Sequence, residues 1–180
     1  MSHRPPAAAD DGRQGGGAGD IGNGFIYGLL HRRLWLEALA GVAGIDLTPA
    51  EPVPVPEPAD HRWMYEAILA QLREVVVPAI ADPLAASRGK GMARLIKYLA
   101  QVDAHGQFFE GCELRDLEEL LGRRPPTIAV GRAEVATEVR CGRLSDGAYL
   151  GYLWRRVARQ TELARPAMGV LADRHWPSLT

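Results

Sequence analysis

Four residues within ten positions carry the side chains of acid–base and nucleophilic chemistry: Asp103, His105, Glu110 and Cys112. A carboxylate or imidazole can exchange a proton near neutral pH and a thiolate can attack a carbonyl, so the set offers a base, an acid and a nucleophile. They lie beside Phe108 and Phe109 in a stretch punctuated by Gly106 and Gly111, which reads as a loop between helices. Catalysis also requires mutual geometry and an oxyanion donor, which spacing does not supply. One His and one Cys without a paired ligand motif do not predict a metal, and nothing in the pattern calls for a cofactor.

A second kind of chemistry is anion recognition. Arg155 and Arg159 are one helical turn apart and opposite the Leu153 and Val157 stripe, which predicts two outward-facing guanidinium forks. Such forks suit a phosphate, a carboxylate or an acidic partner surface. Arg88 and Lys90, in the run SRGKG at 87–91, combine glycines and cations ahead of a helix, as an anion-binding loop does. Gly91 stands where a nucleotide-phosphate loop has Ser or Thr, so the competing reading is a polar break between helices. Charge is also segregated: residues 103–119 hold six acids and one base, a local net of -5, whereas residues 123–165 hold nine arginines and four acids, a local net of +5. The simplest expectation is that these complementary segments pair with each other on the surface.

The elements that must position these residues are helical. Phe25, Leu29, Leu30, Leu34, Leu36 and Leu39 around Trp35 predict a helix over about 24–40, ended by Gly41 and Gly44. TPAEPVPVPEPA at 48–59 forbids helix and central strand and favours an extended spacer. Met64, Ile68, Leu72, Val75 and Ala79 predict the next helix, which Pro78 should kink or end; Asp82-Pro83 then starts another. A break is expected at the 87–91 glycines, a short helix at about 113–121, a helix from Thr127 to about Arg140, and a last helix from Ser145 that Pro166 kinks or terminates. Residues 1–20, with Pro5-Pro6, Asp10-Asp11 and Gly15-Gly16-Gly17, have almost nothing apolar to bury and read as a disordered tail. The expected fold is therefore all-α: a small bundle of about five to six helices, with the tail at 1–20, an N-terminal helix within 21–47, a proline-rich spacer at 48–60 and the bundle at 61–176.

Three pieces of this bundle, LREVVVPAI at 72–80, DLEELLG at 116–122 and GRLSD at 142–146, resemble a bacterial helical domain of unknown function encoded beside phosphotransferase-like and acyl-CoA dehydrogenase genes. The resemblance covers residues 65–166 and implies an accessory partner of an enzyme, with no catalytic residues to carry over.

A formal charge of -1 in 180 residues gives no overall attraction to nucleic acid, and the apolar run 21–47 is interrupted by His31, Arg32, Arg33 and Glu37, so no membrane span is expected. Two cysteines and no basic-apolar leader pattern predict reduced thiols in the cytoplasm. The favoured function is a non-catalytic accessory or adaptor subunit that contacts another protein, or a second copy, through Phe25, Leu29, Trp35 and Leu39 of the N-terminal helix and Trp154 on the last helix. The alternative is a small cofactor-independent enzyme or ligand-binding protein for a phosphate- or acyl-CoA-like molecule.

Overall fold

The computed structural model describes residues 21–49, 51–55 and 60–175. The expected tail at 1–20 lies outside them, as does Trp176. Among the described residues there is helix and no strand, as an all-α bundle requires: α1 (Ile21–Ala43), α2 (Arg62–Gln71), a π-helical turn (Leu72–Val76), α3 (Val77–Ala79), α4 (Pro83–Leu121), α5 (Ile128–Arg140), α6 (Asp146–Met168) and a 3-10 turn (Gly169–Asp173). No described helix is long and apolar enough to cross a membrane.

Local chemistry sets most boundaries. The Asp82 side chain accepts from the amides of Leu84 and Ala85, Thr127 Oγ1 from Val130 and Ser145 Oγ from Ala148, each relieving an unpaired helix-start amide. Gly44, Gly122 and Gly142 follow helix ends with positive φ. Asp60 does not cap α2; His61 occupies the cap position and makes no side-chain cap bond. Pro166 does not stop α6, which runs on to Met168.

Three expectations fail. The break at 87–91 and the loop around His105 are absent, because α4 is one helix of 39 residues, about 58 Å long at 1.5 Å per residue. Two of its glycines, Gly89 and Gly91, are contact points. A Cβ on Gly22 would collide with the Gly91 carbonyl oxygen, so α1 crosses α4 backbone to backbone, and one on Gly89 would lie 3.0 Å from Val77 Cγ2. The apolar stripe of α2 is also mis-registered. Leu72 is buried, but Met64, Ile68 and Val75 are exposed. The less exposed positions run Tyr65, Leu69, Leu72, Val77 and Ile80, and the five-residue step at the π-helical turn keeps them on one side.

Two cores hold the bundle. Ile26, Leu29, Leu30 and Leu36 of α1 pack with Val157, Ala164, Ala167 and Met168 of α6 and with Ala172. Leu117 of α4, Val135 of α5 and Tyr152 of α6 form the second. Burying the larger of these side chains contributes roughly 1.5–3 kcal/mol each, which favours α1 packed on its own chain.

Candidate functional site

Because α4 is continuous, the four candidate catalytic residues fall on two faces of one helix. His105 and Cys112, seven residues apart, are buried; Asp103 and Glu110, also seven apart, are exposed on another side. They do not converge. Asp103 Oδ2 pairs with His61 Nε2 at 2.7 Å, and Arg115 Nη2 donates to Cys112 Sγ at 3.1 Å. The enclosed Nδ1 of His105 has no hydrogen-bond partner. Burial, aided by the nearby Arg62 charge, lowers the His105 pKa and favours the neutral ring. No group of three or more His, Cys, Asp or Glu among the described residues is placed to hold a metal.

Arg155 and Arg159 are not the outward pair expected. Arg159 is only 3 % exposed. Its Nη1 donates to Asp116 Oδ2 at 2.6 Å and its Nε to Glu51 Oε2 at 2.9 Å, while Nη2 holds the other Glu51 oxygen. Arg155 Nε donates to Asp116 Oδ1 at 2.9 Å. One turn earlier on α4, Glu113 accepts from Arg132 Nε and Nη2, both at 2.7 Å, and from the Tyr152 hydroxyl at 2.9 Å. The complementary segments do pair, and the central pairs are buried rather than superficial. Burial alone would raise the Glu113 pKa, but the bonds from Arg132 and Tyr152 bring it below the ordinary carboxylate value. Burial, together with the Glu113 charge, pushes Tyr152 up to about 12.

The proline-rich spacer is bound into this arrangement: besides Glu51 on Arg159, the Thr48 carbonyl accepts from Trp154 Nε1 at 2.6 Å. Trp154 therefore holds the chain's own strap. Arg88 and Lys90 are exposed on α4 and face no loop, since the segment is helical.

Sequence reasoning missed Glu51, Glu113, Arg132 and Tyr152 as parts of one network, and it missed Arg33. Arg33 is 3 % exposed, and its guanidinium takes the carbonyls of Leu171, Ala172 and Arg174, capping the end of the 3-10 turn. Burial lowers the Arg33 pKa, and Glu37 at 3.8 Å works against that shift. The interrupted apolar run around Arg33 was the only available signal.

Of the residues assigned to partner contact, Leu29 is core and Phe25 packs on Tyr98 with ring centroids 4.6 Å apart. Trp35 and Leu39 are different. They share the outer side of α1 with Tyr27 and Val42, and the four are respectively 69, 49, 50 and 85 % exposed. Beside Trp35, the groove between α1 and α6 contains a 170 Å³ pocket lined by Arg32, Leu36, Leu153, Arg156, Val157 and Gln160. A larger hollow of 580 Å³ lies between the end of α4, α5 and the turn before α6, and Arg123 and Arg143 at its wall are paired with Glu134 and Glu138.

No family model, curated protein or solved structure matches this chain.

Proposed function

We propose that this chain is a non-catalytic accessory or adaptor subunit that binds a partner protein through the outer side of α1 and the adjoining surface of α6. The observation that carries the proposal is the row Tyr27, Trp35, Leu39 and Val42. The inner side of α1 satisfies the helix's own core, with Ile26, Leu29, Leu30, Leu36 and Ala40 buried, so the outer row is surplus to folding. Isolated exposed apolar residues are ordinary, but an aromatic-rich row along one helix face is the composition of an interface core. The exposed Trp63, Met64, Ile68 and Val75 on α2 and its π-helical turn extend the same argument to a second helix. Both cysteines are unpaired, which suits a reducing compartment and supports action in the cytoplasm.

The test is site-specific photo-crosslinking in the native host, with a photoreactive residue at Leu39 and, as a control, at the exposed Glu119. The proposal expects one protein captured in near-stoichiometric amount from position 39 and not from position 119. Equal diffuse capture from both positions, with no discrete adduct, contradicts it.

A further inference from the structure

We infer that the pocket beside Trp35 is a recognition site for an acidic peptide segment of the partner, taking one aromatic or branched apolar side chain between flanking carboxylates. The inference rests on the partner-binding reading above and specifies the chemistry of the partner. Its floor is apolar, with Leu36 and Val157 buried and Leu153 partly so, and the exposed Trp35 ring forms one wall. Its volume of 170 Å³ is close to the roughly 150 Å³ of a cavity that holds benzene, so one phenyl or isobutyl group fills it. Two guanidiniums line the same pocket. Arg32 is exposed and has no carboxylate partner among the described residues. Arg156 is only loosely held: its enclosed Nε faces Glu113 at 3.7 Å, an ion pair without a hydrogen bond. Glu113 is already occupied by Arg132 and Tyr152.

This separates the pocket from the arginines of the buried network and of the larger hollow. Arg155 and Arg159 are matched by Asp116 and Glu51, and the arginines of the larger hollow by Glu134 and Glu138. At the α1–α6 groove, by contrast, Arg32 and Arg156 border an apolar pocket, and among the described residues neither donates a hydrogen bond to a carboxylate. A carboxylate brought there by a partner meets planar donors suited to it, and Gln160 adds an amide at the rim. An apolar anchor in a pocket with charges around it is the usual form of an interface hot spot.

The probe is a capped pentapeptide with one phenylalanine between two pairs of glutamates, titrated into the full chain and followed by the Trp35 indole NH resonance, assigned with Trp35→Phe. The expected result is a saturable shift of the Trp35 and Gln160 side-chain signals. Replacing the glutamates by glutamines should weaken binding by at least about tenfold, and Arg32→Gln, at an exposed position, should bring the glutamate peptide to the same level. The inference is overturned if no saturable shift occurs, if glutamate and glutamine peptides bind equally, or if phenylacetate alone binds as tightly as the peptide, which would make this a small-molecule site. Failure here with a discrete adduct from position 39 removes the acidic-peptide site and leaves the adaptor reading standing; loss of that adduct removes both.

Discussion

Replacing Asp116 by leucine should cost about 3 kcal/mol of folding stability, well above the effect of losing a surface ion pair. Asp116 is 6 % exposed and receives two charge-assisted bonds, at 2.9 Å from Arg155 and 2.6 Å from Arg159. Hydrogen bonds to charged groups contribute roughly 1.5–3 kcal/mol each, and removing one partner of a buried pair typically costs about 3–5 kcal/mol because the other charge stays desolvated. The lower end applies because Arg159 keeps two bonds to Glu51. In urea unfolding followed by circular dichroism, Asp116→Leu should lower stability by about 3 kcal/mol, or Tm by about 6–12 °C for a chain of this size. Arg159→Leu should cost a similar amount, and the double variant distinctly less than the sum, with a coupling of about 2 kcal/mol, since neither variant then leaves the opposite buried charge stranded. Single costs below about 1 kcal/mol that add without coupling would refute the argument that these arginines are committed to the interior.

Other outcomes follow from the same contacts. Tyr152 has its pKa raised to about 12, above the usual value of about 10, so its contribution is complete below pH 10 and disappears as pH rises from 10 to about 12; Tyr152→Phe should flatten that part of a stability–pH curve. The lowered pKa of His105 works in the opposite direction: its contribution is complete above about pH 6.5 and declines as pH falls from there toward the folded value, a slope that His105→Phe should remove. Gly22→Ala should destabilise by about 1–3 kcal/mol in thermal unfolding because its Cβ meets the Gly91 backbone, whereas Gly28→Ala, with open space around it, should be neutral or stabilise by up to about 1 kcal/mol. Ile68→Glu should change stability by no more than about 0.5 kcal/mol, since the side chain is exposed, although the helical stripe in the sequence would have placed it in the core.

The features legible in the sequence are those decided within a few residues. Asp82, Thr127 and Ser145 cap helices because an acceptor side chain next to unpaired amides is a local event, and Gly44, Gly122 and Gly142 end them because positive φ is a single-residue property. The charge segregation was legible as complementarity, but its depth was not. Arg159 reaches Glu51 across 108 positions, and no spacing rule links a proline-rich spacer to the fourth turn of a distant helix. The unbroken α4 defeats local reasoning for a related reason. Each glycine costs a helix roughly 1 kcal/mol, yet Gly91 lets α1 approach its backbone and Gly89 admits Val77, and that packing outweighs propensity. The candidate catalytic set depended on a loop at His105 and dissolved with it, while the π-helical turn moved the inward face of α2 from Val75 to Val77.

Whether a second protein covers the outer side of α1, as proposed, can be read from native mass spectrometry of the full chain purified gently from its own host. The expected result is a stoichiometric complex with one other protein that Leu39→Glu abolishes while the chain stays folded. A lone chain carrying a bound small molecule, or a complex untouched by Leu39→Glu, would contradict it.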